Sequence, residues 1–140
     1  MLYAARWHYA GKPILYCSTT PELALLEKMA HLPNVPIEQQ EPLVLLTIDI
    51  PFEDKLFLKK YGASDLPVGW NNLTDQTISR EFLRPWTERP DTLAVAVPSV
   101  IVPMSYNVLL HAYHPMGQQV RCLKIEPFPV DGRFLAKKQA

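Results

Sequence analysis

An α+β fold, with a mixed, mainly antiparallel sheet and short flanking helices, is predicted by three observations. Strand-like segments outnumber helical ones, and the two kinds do not alternate as they would around a parallel sheet. Fourteen prolines in 140 residues are about twice the usual ~5%. Most stand at junctions (Pro33, Pro36, Pro42, Pro51, Pro98, Pro103, Pro115, Pro127 and Pro129), which implies short elements joined by fixed turns.

Taken in order, Pro13–Ser18 reads as a strand ended by polar turn residues. Thr19–His31 reads as a well-started helix: Thr19 or Thr20 can cap it, Pro21 suits its first position, and Glu22 favours the positive end of the dipole. Leu23, Leu26 and Ala30 give it an apolar face at i, i+3, i+7 spacing. Pro42–Ile50 is a continuous apolar run of strand length, expected as a central strand. Residues 51–72 read as irregular, with turn signals at Tyr61-Gly62 and Leu66–Asn72. Thr77–Arg84 is helical, with Ile78, Phe82 and Trp86 on one face, and Pro85 should end or kink it. Thr92–Val97 is a buried strand, and Val100–Val102 a second short one stopped by Pro103. Gln119–Glu126 is strand-like, but its apolar residues fit either phase. Residues 131–140 form a loose polar tail.

The chain is long enough for one hydrophobic core and is expected to be a single domain. Fourteen basic residues balance fourteen acidic ones, and no basic run exceeds Lys137-Lys138. That disfavours direct nucleic-acid binding. Apolar runs fall well short of the ~20 residues of a membrane span, and no signal pattern opens the chain, so a cytoplasmic protein is expected. Cys17 and Cys122 are far apart without metal-type spacing and read as reduced thiols. Of the histidines, His111 and His114 are three apart, but no ligand cluster accompanies them, and no metal is expected.

Glu27 lies four residues after Leu23, on or beside the inward face of its helix. A carboxylate there is costly to bury without partners, which makes it a candidate for chemistry. Three further sites stand out. Arg6, flanked by Trp7 and His8, suits bidentate phosphate contact and stacking, or equally a surface ion pair. Tyr16 and Ser18 close the first strand, where an ordinary strand tyrosine is the plain alternative. Ser99 follows Val97-Pro98 and precedes Tyr106-Asn107; it could simply be a turn residue.

Together these segments are specific. Leu2–Trp7, Gly11–Ser18, Ala24–Glu27, Leu66–Trp70, Val97–Pro103, Tyr106–Leu110 and His114-Pro115 resemble the RES-domain family of bacterial toxin–antitoxin pairs, in the same order and at compatible spacing from about residue 2 to about 130. The resemblance implies an ADP-ribosyltransferase-like fold acting on NAD as substrate. Activity would be hydrolysis or phosphorolysis of the nicotinamide–ribose bond, or transfer of ADP-ribose to a protein. It also implies an antitoxin partner carrying a helix-turn-helix part, and possible oligomers with that partner. Position by position, Arg6, Tyr16, Glu27 and Ser99 match the family's functional residues, and Asn107 matches the Asn of its Asn-Val-Leu-Leu segment.

The residue types suit that chemistry. Glu27 could stabilise an oxocarbenium-like transition state or orient the acceptor. Arg6 could clamp a pyrophosphate, Tyr16 pack against nicotinamide or ribose, and Ser99 hold Glu27 or a ribose hydroxyl. Two departures from the family are expected to matter. The usual N-terminal strand is missing ahead of the Arg6 motif, which admits an inactive domain that only binds the antitoxin. Ala4-Ala5 replace a common Gly-Gly, which would be unfavourable if positive φ were required there.

Overall fold

The computed structural model describes residues 3–31, 42–50 and 57–134. Its strands are β1 (Ile14–Ser18), β2 (Val44–Asp49), β3 (Leu58–Lys60), β4 (Ala94–Pro98), β5 (Tyr106–His111) and β6 (Arg121–Pro127), and its helices are α1 (Pro21–Ala30) and α2 (Thr77–Glu88). One sheet has the order β1-β5-β4-β3, antiparallel except for the parallel β3–β4 pair; β2 and β6 form a separate antiparallel pair. The fold is therefore α+β with a mixed, mostly antiparallel sheet, as expected.

Alternation along the strands explains the two cores. Val95, Val97 and Leu109 point to one face, where they pack with Trp7, Leu66, Trp70, Leu83 and Trp86. Ala94, Ala96, Val108 and Leu110 point to the other and meet Ile50, Phe57 and Leu93, with Ile48 and Val120 alongside. Each fully buried Val or Leu contributes about 1.5–3 kcal/mol, so β4, buried at every residue, is the hub.

Pro42–Ile50 is not a central strand. Its strand, β2, pairs with β6 and, among the described residues, with no other strand, and Val44 and Leu46 are 56% and 52% exposed. A register shift between Thr47 and Ile48 changes the phase, so that Leu45 and Ile48 are the half-buried residues. A continuous apolar run marks a strand without saying which sheet it joins. β6 is largely exposed on both faces, Leu123 and Ile125 included, which is why its alternation has no clear phase.

Val100–Val102 is a turn, not a strand. The Ile101 and Val102 N–H groups donate to Ser99 Oγ at 3.1 and 3.2 Å, leaving them nothing for a ladder. The chain then reverses into β5; this strand, and β3 within the stretch expected to be irregular, are additions to the elements expected from the sequence. Helix α2 continues through Pro85 to Glu88. Its last turn is anchored by buried Trp86, whose Nε1–H donates to the Thr92 carbonyl at 2.9 Å. Its inward residues are Ser79, Leu83, Trp86 and Thr87, while Ile78 is 42% exposed; a polar Ser79 at the inward position disguised the face.

In α1 only Leu23 is buried, and Leu26 and Ala30 face outward. The inward line is Leu23–Glu27, one i, i+4 step. Thr20 caps this helix, its Oγ1 accepting from the Leu23 N–H at 3.2 Å. Pro33, Pro36, Pro51 and the tail beyond Phe134 lie outside the described residues; Gly132–Phe134 form a short 3-10 turn. Among the described residues no helix is long and apolar enough to cross a membrane.

Candidate active site

Three strand termini meet at one end of the larger sheet: the end of β1, the end of β4 and the start of β5. Register fixes which side chains share a face there. Ser18 pairs with Asn107, and Asn107 with Val97. Directly opposed residues share a face, and Ser99 lies two positions past Val97, so Ser18, Asn107 and Ser99 form one polar row on the α2 side of the sheet.

Glu27 closes this row from above. Ser99 Oγ and Asn107 Nδ2 both donate to Glu27 Oε1, each at 2.7 Å. Ser18 Oγ in turn donates to Asn107 Oδ1 at 2.7 Å. An ionised carboxylate only accepts, so Glu27 dictates that the Asn107 amide presents its NH2 side, and that leaves Oδ1 to accept from Ser18. Ser99 is fully buried and fastened through its own backbone, its N–H donating to the Ser105 carbonyl at 2.9 Å. Two charge-assisted donors on a single oxygen hold the carboxylate's orientation firmly.

Arg6 approaches from the loop before β1. Its Nη1 donates to the carbonyls of Trp70 and Asn72 at 3.1 and 2.9 Å. Burial lowers the Arg6 pKa from its ordinary value, while the nearby Glu27 carboxylate acts in the opposite sense, more strongly than Tyr16 does. Arg6 and Glu27 thus sense each other's charge, yet no direct ion pair joins them. A cation and an anion close enough to feel one another, yet not paired, is an arrangement suited to a ligand carrying both charges.

Tyr16 lies on the same sheet face as Ser18. Its hydroxyl is 2.7 Å from His8 Nδ1 and accepts from the Trp7 N–H at 3.2 Å. Burial raises the pKa of this hydroxyl well above the ordinary tyrosine value, while 38% of the residue as a whole is accessible.

The sequence reading named Arg6, Tyr16, Ser18, Glu27, Ser99 and Asn107. The structure joins Glu27, Ser99, Asn107 and Ser18 in one hydrogen-bonded chain and sets Arg6 and Tyr16 beside it without direct bonds to it. The residues that present Arg6 are not among those expected from the sequence. Ser79 Oγ donates to the Arg6 carbonyl at 2.6 Å, and Arg80 Nε to the Ala5 carbonyl at 2.7 Å. Trp7 stacks on Trp70, centroids 5.9 Å apart. Contacts to backbone carbonyls leave no trace in the sequence of the loop they hold, whereas the paired tryptophans were visible in two of the motifs. Ala4-Ala5 cause no strain, because no described residue other than glycine has positive φ. Among the described residues no group of three or more side chains is arranged to hold a metal.

Comparison with known proteins places this geometry in context. The chain is 32% identical over 142 residues to "Toxin Res" of Photorhabdus laumondii, covering 99% of this chain and 86% of that protein. It is 32% identical over 133 residues to "Toxin Res" of Pseudomonas putida, covering 94% and 86%. It is 30% identical over 134 residues to the "Prs ADP-ribosylating toxin" of a Sphingobium species, covering 94% and 81%. The RES domain model matches residues 1–131, which include every residue of the Glu27 network and the Arg6 loop, and the chain belongs to the RES-domain family.

Proposed function

We propose that this protein is a bacterial toxin that consumes NAD by cleaving the nicotinamide–ribose bond, and that a helix-turn-helix antitoxin neutralises it. The observation that carries this reading is the Glu27 carboxylate, held on one oxygen by Ser99 and Asn107 and near enough to Arg6 to influence its charge without an ion pair. Its relatives named as toxins support the biological role.

In the reaction the glycosidic C–N bond breaks, and its electron pair passes to the pyridinium nitrogen, so neutral nicotinamide leaves. Positive charge develops on the ribose, as in glycoside cleavage. Glu27 stabilises that charge, because its position is set before the reaction begins. Water, as acceptor, bonds to the ribose carbon and passes its proton to solvent, whereas inorganic phosphate bonds through an anionic oxygen and need lose none. The other oxygen of Glu27, which has no hydrogen bond among the described residues, is suited to orient the acceptor. Arg6 binds the pyrophosphate with the N–H groups that its backbone carbonyl partners leave over. Tyr16 borders the nicotinamide and ribose end. Ser18 acts through Asn107 and reaches the substrate only indirectly.

A second acceptor is favoured by one observation. The Sphingobium relative is named for ADP-ribosylation, so transfer to a protein side chain is the alternative outcome of the same bond cleavage.

The deciding experiment is nicotinamide release from NAD by the purified chain, with and without phosphate, beside Glu27→Ala. Release that Glu27→Ala abolishes supports the enzyme, and phosphate dependence names the acceptor. Adenine-labelled NAD that marks a protein would select transfer. A folded protein that releases no nicotinamide would sink the NAD reading and leave antitoxin binding as its role.

A further inference from the structure

We infer that His8 is a positioning residue that fixes the direction of the Tyr16 hydroxyl proton, making Tyr16 a hydrogen-bond acceptor toward its ligand. The functional half of this inference rests on Tyr16 facing the substrate, as proposed above; the geometric half does not.

His8 is 5% exposed, and both of its ring nitrogens are engaged. Nε2 lies 2.9 Å from the Tyr3 carbonyl. A carbonyl only accepts, so Nε2 carries a proton. Burial lowers the His8 pKa, which favours the neutral ring, so Nδ1 is left bare and must accept. The group within reach is the Tyr16 hydroxyl at 2.7 Å. That hydroxyl already accepts the Trp7 N–H at 3.2 Å. Its single proton therefore goes to His8. One lone pair remains, and it can only accept.

The chain of constraint runs from a backbone carbonyl through a ring tautomer to a phenol; once the ring is neutral, as its burial favours, donor and acceptor counting fixes each step. Its consequence is specificity. A ligand group that donates, such as a ribose hydroxyl or a carboxamide NH2, satisfies Tyr16; a group that only accepts meets a lone pair. Removing the His8 acceptor frees the proton to rotate and cancels that preference. His8 itself touches no substrate.

The test combines ring spectroscopy with a mutant cycle. Nitrogen NMR of the imidazole rings, with the His8 signals assigned by their loss in His8→Asn, should show protonated Nε2 and bare Nδ1 at neutral pH. Tyr16→Phe should shift the Nδ1 resonance. A proton found on Nδ1 overturns the inference, whether or not NAD is turned over. His8→Leu should raise the KM for NAD about three- to tenfold with little change in kcat, the range of one neutral hydrogen bond, and should have no further effect in Tyr16→Phe. Asn places an acceptor where Nδ1 stood, so His8→Asn should stay within about twofold of wild type. Equal His8→Leu effects with and without the Tyr16 hydroxyl would overturn the inference. If His8→Leu fails to fold, His8→Asn and the ring spectra still decide it. A wild-type chain that neither binds nor cleaves NAD would remove the functional reading and leave the proton's direction to the spectra alone.

Discussion

Ser99 Oγ donates to Glu27 Oε1 at 2.7 Å while accepting from the backbone of Ile101 and Val102. One hydroxyl thereby ties the carboxylate to the loop that ends β4. The two parts come from segments 72 residues apart and meet only because β1, β5 and β4 lie side by side.

Glu27→Ala should lower NAD turnover by on the order of 10²–10³ and leave the fold intact, since Ala is the better helix former. Glu27→Gln separates charge from shape: Asn107 can still donate to the amide oxygen, but the negative charge is gone. Turnover should fall nearly as far as in Glu27→Ala. Nicotinamide release with thermal melts checks both, and a Gln variant with wild-type rate would remove charge stabilisation from the mechanism.

Ser99→Ala and Asn107→Asp should fail in different ways. Ser99→Ala leaves two backbone N–H groups without their acceptor at a fully buried residue, costing about 1–3 kcal/mol. A lower melting temperature should accompany lost activity. Asn107→Asp replaces a donor to Glu27 with a second carboxylate. Like charges raise one carboxyl pKa, so the acidic limb of the pH–rate profile should move upward, measurable as nicotinamide release from about pH 4 to 8.

Arg6→Lys should not be conservative. The guanidinium spends one nitrogen on the Trp70 and Asn72 carbonyls and still offers others to a ligand; an ammonium cannot span both. Losing one charge-assisted bond predicts a KM for NAD raised about 10–100-fold, with kcat changed less. A fall in kcat at constant KM would argue against pyrophosphate binding.

How much of this was legible in the sequence follows from where the information resides. Arg6, Tyr16, Glu27, Ser99 and Asn107 could be named because they sit in short motifs whose order is itself a signal. The α+β class followed from the strand-like runs. Which sheet β2 joins was not legible, because Leu45 and Ile48 are apolar whichever partner they meet, and the register shift that orients them arises only on pairing with β6. Ser79 and Arg80 carry no such signal because they bind the carbonyls of Arg6 and Ala5, and every residue has a carbonyl.

Gly69 tests whether the Leu66–Trp70 segment is a fixed support for Arg6. Its φ is +92°, and an added Cβ would lie 2.7 Å from the Ile78 Cδ1. The methyl can move aside, so the backbone term dominates, about 1–3 kcal/mol. Gly69→Ala should lower the melting temperature and, because Trp70 supplies a carbonyl to Arg6, also raise the KM for NAD. Lost stability with an unchanged KM would uncouple the segment from the site.

Stability should fall as pH drops below about 6.5, the ordinary histidine pKa. His8 and His111 are 5% and 3% exposed, and burial lowers both pKa values. Arg80 lowers that of His8 further, and His114 and Lys12 that of His111, each against a hydrogen bond to a carbonyl that raises it. Between the lowered folded value and about 6.5 the unfolded chain binds more protons than the folded one, so stability rises with pH across that window and is complete above it. Melting temperature should therefore decline on acidification from pH 7.5 toward 5, and His8→Asn should flatten part of the slope because Asn does not titrate. His111 Nε2 lies 2.9 Å from the Thr87 carbonyl, and its ring meets Trp86 edge-on, so His111→Gln should flatten the remainder at some cost in packing. A melting temperature that rises on acidification would mean that these rings are charged in the folded protein, which would also reverse the direction of the proton between His8 and Tyr16.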